Sequence, residues 1–532
     1  MSSDERADAP GTPARLPALG AVGWLRWIWR QLTSMRTALF LLMLLAVAAV
    51  PGSVIPQRGI DAVAVQEYLA ERPTLGAWLD RFGFFDVFAS PWFSAIYLLL
   101  FVSLVGCVLP RTRQHLAHLR SAPPRTPANL GRLPGHRRVV VDAPEAEVLD
   151  AARGVLRRRR YRVGGHEGSV AAERGYLRET GNLLFHLSLV GLLVAVATGG
   201  LYGYRGQVIV PVGQAFANSL ADYDTFDPGA WFDADHLPPF RLSLDELRVR
   251  FEDQDGGAQF GAPRLFEADT TVVAEPGAEP EPRTIYVNRP LSISGAHVYL
   301  AGNGYAPRIT VRDGNGDIAF SEQVPFLAQD GNYTSTGVVK VVDAAPQQIG
   351  LRGLFAPTAQ VDPEAGPRSI FPDARDPRLF LTAYVGDLGL DDGVPQSVYQ
   401  LDTDAMEQLM TEDGRPFSFA LSPGDRIDLP DGAGSVEFTD LDRFAGLTIR
   451  HDPGKGAALV FSVLAMAGLV ASLFIPRRRV WVRVGTDPDG RTVVEVAALA
   501  RGDDAGLDDE TQAVEQALLE RLPTPAGTSI GG

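Results

Sequence analysis

The sequence predicts an α-helical membrane protein with four transmembrane helices and a large β-rich, sandwich-like extracytoplasmic domain. Three observations predict it. There are four apolar runs of bilayer length, an excess of arginine beside the second, third and fourth of them, and about 250 residues of short β-type runs between the third and the fourth. The apolar runs organise everything else.

Composition narrows the function classes. The single cysteine, Cys107, excludes an internal disulfide, a CxxC redox pair, a cysteine-rich zinc site and covalent haem attachment through C-x-x-C-H. A net charge of -15 lacks the basic footprint of a nucleic-acid binder, so no nucleic-acid partner is expected. Positive charge is almost all arginine, Lys340 and Lys455 being the only lysines. No G-x-S-x-G, P-loop or Rossmann glycine pattern occurs where a strand and a helix would support it, which removes hydrolase and nucleotide-driven pump readings. Four spans without broken-helix repeats do not make an independent secondary transporter.

In chain order, residues 1–36 are expected to be a disordered, Pro/Ala/Gly-rich start followed by an interfacial helix, WLRWIWRQLTSMR from Trp24 to Arg36. Indoles at headgroup depth and guanidiniums towards phosphates explain that pattern, with the bilayer as partner. The first span is 37–55, where Pro51 and Gly52 break the helix near its exit and leave Pro56 and Gln57 at the interface. Residues 56–91 form an outer loop with an amphipathic helix from Glu67 to Leu79 and an aromatic belt of Phe82, Phe84, Phe85, Phe88, Trp92 and Phe93. The second span, 92–109, closes at Pro110-Arg111.

Residues 110–182 hold fifteen arginines against seven acids, which places them in the cytoplasm and the N-terminus with them. Within this segment Arg137 to Val141 reads as a strand. Pro144 to Arg159 reads as a helix with Val148, Ala152, Val155 and Leu156 on one face, and Tyr161 to Val163 and Ser169 to Ala172 as strands around Gly164-Gly165, giving a small α/β module. The run Arg157 to Arg160 serves as a topology determinant or a lipid contact. The third span is 183–200. Residues 201–456, with about twice as many acids as bases, form the outer β-rich domain, in which DGNGD at Asp313 to Asp317 is a hairpin turn. The fourth span, 457–475, carries small residues such as Ala458, Ser462, Ala465, Gly468 and Ser472, suited to close helix packing. A cytoplasmic tail, 476–532, holds a hairpin and a helix from Asp508 to Arg521 before a loose Pro/Gly end.

His186 is the ionisable residue of the third span, LLFHLSLVGLLVAVATGG, near its cytoplasmic end. A titratable group inside a span invites a functional reading, here a haem ligand, another metal ligand or a proton relay, beside a purely structural helix–helix hydrogen bond. Neutral imidazole is a σ-donor suited to haem iron, and one histidine fills one axial position. Cys107, in apolar surroundings, reads as a small buried hydrophobe. His115 and His118, among arginines, read as solvated. His236, His297 and His451 show no zinc spacing and read as structural or surface residues, His451 standing out because it adjoins the fourth span.

Several stretches together resemble the ResB family, also called CcsB or Ccs1, of System II cytochrome c biogenesis. They are SMRTALFLLMLLAVAAVPGSVIPQ, FFDVFASPWFSAIYLLLFVSLVGCVLPR and GNLLFHLSLVGLL in the first three spans, VNRPLSISGAHVYLAGNGYAP in the outer domain, HDPGKG before the fourth span and PRRRVWVRV after it. The resemblance implies a bacterial plasma-membrane subunit that helps carry haem b outward and attach it to the C-x-x-C-H of an apocytochrome c. It implies a CcsA/ResC-type partner bearing a tryptophan-rich WWD region, which this chain lacks, and a cytochrome c synthase complex rather than an enzyme acting alone. A thioredoxin-like thiol reductase is a further implied partner. By the same resemblance His186 matches the family's intramembrane histidine and would be one axial ligand of haem iron, the other coming from the partner. The competing readings are a non-catalytic scaffold or sensor with a ligand-binding outer domain, and a proton-relay accessory of a respiratory complex.

Overall fold

The computed structural model describes residues 20–60, 62–254, 259–364, 366–390, 400–502 and 504–522. The start read as disordered, up to residue 19, and the Pro/Gly end after Leu522 lie outside the described residues. The chain divides into two compact units, one formed by residues up to Ala197 and from Gly454 onward, the other by Thr198–Pro453.

The first unit begins with α1 (Ala21–Leu32), an amphipathic helix whose Trp24, Trp27 and Trp29 are about half exposed. α2 (Met35–Val54) starts at Ser34, whose hydroxyl accepts from the Thr37 backbone N–H at 3.2 Å. It ends just past Pro51 and Gly52. A Cβ on Gly52 would come within 2.8 Å of the Phe88 ring, so glycine is what lets the aromatic loop close on the helix end. Gln57 is buried there and ties the two together, donating to the Phe84 carbonyl at 3.0 Å and accepting from Val87 N–H at 3.0 Å.

The expected single helix from Glu67 to Leu79 is instead two, α3 (Ala62–Glu71) and α4 (Pro73–Arg81). Pro73 is the reason: it disfavours the helical conformation in the residue before it, and Arg72 is accordingly at φ -133°, ψ 64°. α5 (Pro91–Arg120) continues eleven residues past Leu109, through Pro110. The carbonyl that the proline ring crowds, four residues back, belongs to Gly106, in a helix packed on α1 and α2.

α6 (Glu145–Arg158) buries Val148, Ala152, Val155 and Leu156, the face its periodicity predicts. α7 (Leu177–Tyr202) and α8 (Lys455–Phe474) follow, and α9 (Leu507–Leu519) lies in the tail. α2, α5, α7 and α8 are each long and apolar enough to cross a membrane. α7 and α8 meet through glycine: a Cβ on Gly181 would lie 2.7 Å from the Gly468 carbonyl oxygen, and one on Gly468 2.6 Å from the Phe185 nitrogen.

The segment between α5 and α7 and the tail after α8 make one antiparallel sheet. Its order is Arg137–Val141, Thr492–Ala500, Arg478–Thr486, Ser169–Arg174, Arg162–His166. α6 and α9 bury their apolar faces against Val480, Val482, Val494 and Val496. Because both segments share this sheet, the end of α5, the start of α7 and the end of α8 converge on one side. Gly164 and Gly165 are within a strand, not at its turn, which falls at Glu167–Gly168 with Gly168 at φ +62°. Their lack of Cβ is used for packing, since one would approach Pro123 to 3.0 Å and the other the Arg153 guanidinium to 3.2 Å.

The second unit is β-rich, built, among the described residues, of open antiparallel sheets of seven, six, four and two strands. Its spine is a pair of 18-residue strands, Ala296–Asp313 and Gly434–His451, paired along their length. The turn at Asp313–Asp317 forms as its sequence predicts: Asp313 is buried and its carboxylate accepts from Asn315 and Asp317 N–H at 2.9 and 3.1 Å. Two apolar cores result. One is centred on Phe326, Phe355 and Phe438, the other on Phe216, Phe240 and Ile285.

Candidate functional site

α7 begins after Gly175 at φ +88°, carries Glu179 in its first turn, where the helix dipole favours a negative charge, and continues through the apolar run that starts at Leu183. His186 lies in its third turn. Its Nδ1 is 2.8 Å from the backbone carbonyl of Asn182, one turn earlier. A carbonyl only accepts, so Nδ1 carries a proton, and in the neutral tautomer this selects the lone pair lies on Nε2. The Phe185 ring meets the imidazole edge-on at 5.2 Å and 87°, and the Asn182 carbonyl is the only polar partner of the His186 side chain among the described residues.

The helix buries Gly181, Ser188 and Ala195. At about 100° per residue His186 stands roughly 160° around the helix from Ser188, on the side away from that seam. The imidazole is half-buried rather than enclosed. An imidazole whose Nε2 is left without a hydrogen-bond partner among the described residues is a group that could ligate haem iron. Among the described residues no cluster of three or more His, Cys, Asp or Glu side chains forms a metal cage.

α5 holds α7 at two points. The Tyr97 hydroxyl donates to the Leu193 carbonyl at 2.6 Å, and His115 Nε2 lies 3.0 Å from the Thr180 hydroxyl. His115 is therefore not solvated as the surrounding arginines suggest; it is 7% exposed, with Nδ1 3.4 Å from Glu179. The signal was the seven-residue spacing from buried Val108, hidden by reading Pro110 as the end of the helix. His118, on the outer face, is exposed. His236 is 82% exposed beside Asp233, and His297 Nδ1 lies 2.9 Å from the Ser292 hydroxyl. Cys107 is half-buried, its thiol directed at the Leu104 carbonyl at 3.2 Å.

Below His186 the helix ends are locked by buried ion pairs that the sequence gives no sign of. Glu173, 3% exposed, accepts from Arg477 at 2.6 Å, Arg479 at 2.9 Å and the Tyr176 hydroxyl at 2.8 Å. Burial pushes its carboxyl upward, but the hydrogen bonds from Arg479, Tyr176 and Arg477 outweigh it and hold it below the ordinary carboxylate range. Arg477 also pairs with Glu179, which takes a further bond from Arg501 at 2.6 Å. Glu510 of α9, 7% exposed, is ringed by Arg174 at 2.8 Å, Arg478 at 2.9 Å and Arg159 at 3.3 Å, so Arg159 of the basic run is a structural residue.

Similar proteins span nearly the whole chain. A cytochrome c biogenesis protein CcsB of Synechococcus sp. (strain JA-2-3B'a(2-13)) is 26% identical over 449 residues, 83% of each chain. The CcsB of Synechococcus sp. (strain JA-3-3Ab) is 25% identical over 529 residues, 96% of each chain. That of Picosynechococcus sp. (strain ATCC 27264 / PCC 7002 / PR-6) is 24% identical over 520 residues, 94% of this chain and 92% of its own. The model of the ResB-like family matches residues 35–512, from the first residue of α2 into α9 and across His186, and the chain belongs to that family.

Proposed function

We propose that this membrane protein is a subunit of System II cytochrome c maturation, carrying haem b across the plasma membrane and presenting it for attachment to the C-x-x-C-H of an apocytochrome c. His186 supplies one axial ligand to the iron at the cytoplasmic side of the bilayer. A separate CcsA/ResC-type membrane protein with a WWD region supplies the other and completes the cytochrome c synthase, and a thioredoxin-like reductase keeps the apocytochrome cysteines reduced. Haem is cargo here, so its ligands must exchange; a single neutral imidazole is a ligand the iron can leave.

The observation that carries this reading is the half-buried His186 imidazole, with its Nδ1 on the Asn182 carbonyl and its Nε2 without a hydrogen-bond partner among the described residues. The names of the CcsB relatives support the cytochrome c context. Fifteen arginines against seven acids in residues 110–182 support a cytoplasmic placement of the five-stranded sheet and both termini, with Thr198–Pro453 outside as a sandwich-like domain that meets the apocytochrome. The test is complementation of a strain lacking this chain. His186→Ala is expected to abolish holocytochrome c while the protein still accumulates in the membrane; undiminished maturation would overturn the reading.

A further inference from the structure

We infer that the β-rich unit carries a binding site of its own, a cavity on one face of its six-stranded sheet that takes the C-terminal end of a peptide whose last residue is apolar. The inference is independent of His186 and of haem. Four strands, Ser335–Val341, Gln348–Ala356, Arg378–Gly386 and Ser418–Leu421, pair side by side to make the floor. Alternation along them sends Val339, Leu351, Leu381 and Phe419 into the core centred on Phe326, Phe355 and Phe438. On the opposite face lies a cavity of about 1020 Å³, at the upper end of the range of about 300–1,000 Å³ that small-ligand sites occupy.

Register sorts that face into three rows. In the middle row Val338, Arg352, Thr382 and Ser418 lie across from one another. Two residues further along one direction, Leu354, Phe380 and Ala420 make an apolar row. Two residues the other way come Gly350, Tyr384 and Gln408, and Leu401 closes that end, since a Cβ on Gly350 would lie 2.9 Å from its Cδ1. Val361 and Pro367, from the hairpin of Ala359–Asp362 and Gly366–Ser369, add to the wall.

Charge decides the ligand. Residues 201–456 hold about twice as many acids as bases, yet among the described residues the eighteen that line the cavity include one guanidinium and no carboxylate. That guanidinium, Arg352, is exposed and makes no hydrogen bond or ion pair among the described residues. Lys340, the other cation of this face, already has the Asp402 carboxylate acting on it. A merely solvated arginine in so acidic a unit is expected to have carboxylates beside it; Arg352 is flanked by Val338, Leu354 and hydroxyls, so its anion has to come from outside. The Thr382 and Ser418 hydroxyls are 3.0 Å apart, and with one proton between their oxygens the other remains to donate to a ligand. Guanidinium and hydroxyl together suit a carboxylate, which the planar fork binds through two parallel bonds. The carbon bearing that carboxylate then has apolar surface on one side, at Leu354 and Phe380, and amides on the other, at Gln400 and Gln408. A carboxylate, an apolar side chain and a peptide amide on one carbon are what the last residue of a peptide presents.

The test titrates the full chain in nanodiscs with N-acetylphenylalanine, reading saturation-transfer NMR with empty nanodiscs subtracted. Saturable binding is expected, weaker by roughly tenfold or more for N-acetylphenylalaninamide, which lacks the charge, and in Arg352→Gln. N-acetylglycine, without the apolar group, and 3-phenylpropionate, without the amide, are both expected to bind more weakly than N-acetylphenylalanine. No saturable binding to the wild type overturns the inference, and so does equal affinity for the acid and its carboxamide, a comparison that needs no variant to fold. Unchanged affinity in Arg352→Gln places the ligand elsewhere and overturns it too. Equal affinity for 3-phenylpropionate overturns the assignment to a peptide end.

Discussion

Inside an apolar helix the backbone is already fully hydrogen-bonded, so the second use of the Asn182 carbonyl by His186 serves the side chain alone. It selects one tautomer, and the choice of tautomer makes the difference between a donor and a ligand. The residue itself was legible in the sequence as the ionisable group of the third span. Its tautomer was not, because that depends on a 2.8 Å distance rather than on residue type. His115 and His118 make the same point from the other direction. They are alike in sequence, three residues apart among arginines, yet the continued helix turns one onto Thr180 and the other into solvent. His115→Ala is expected to destabilise the chain by about 1–3 kcal/mol through the loss of a buried side chain and its Thr180 bond, and His118→Ala by less than about 0.5 kcal/mol. Thermal unfolding in detergent compares the two; equal shifts would contradict the placement of His115.

Helices and strands were largely predictable where one period dominates, as in α6, whose four predicted core residues are all buried. They were misread where proline carries two meanings: Pro73 divides a helix, whereas Pro110 is accommodated within one. Small residues on α8 announced close packing, and Ala465 and Gly468 are the buried ones, but the partner at Gly181 could not be named from composition. Gly468→Ala forces α7 and α8 apart and is expected to lower stability by about 1–3 kcal/mol, a shift that the exposed-face substitution Gly456→Ala does not produce. The tail helix is held by charge. Glu510→Ala leaves Arg174, Arg478 and Arg159 without their shared carboxylate and is expected to cost about 3–5 kcal/mol, read as loss of protease protection of residues after Arg478. Asp504 is held below the ordinary aspartate value by its hydrogen bonds from Arg478, and Glu173 lies below the glutamate value despite burial. Both therefore bind their protons less readily when folded. Their contribution is complete above the unfolded-state values near ~4 and disappears as pH falls through the lower folded-state values. Denaturation at pH 6 and pH 3 measures it, and equal stability at both would contradict the ion-pair assignments.

On the scale of the whole molecule, four apolar helices and a β-rich region were readable from hydropathy and turn spacing. The pairing of residues 137–174 with residues 478–500 was not, because a sheet closed by strands more than 300 residues apart leaves no local pattern. The two 18-residue strands of the β-rich unit were likewise visible only as halves, interrupted in the sequence by Gly302–Gly304 and Asp440–Arg443. The proposed topology predicts that a reporter fused after Ser219 is active outside the cytoplasm and one after Ser121 inside it; the reverse pattern would contradict the charge argument. The central claim is that His186 binds haem iron, and the visible spectrum of the chain co-purified with its partner tests it most directly. His186→Gly should lose the Soret band and regain it when imidazole is added, and a band of unchanged position and intensity in His186→Gly without imidazole would contradict the account.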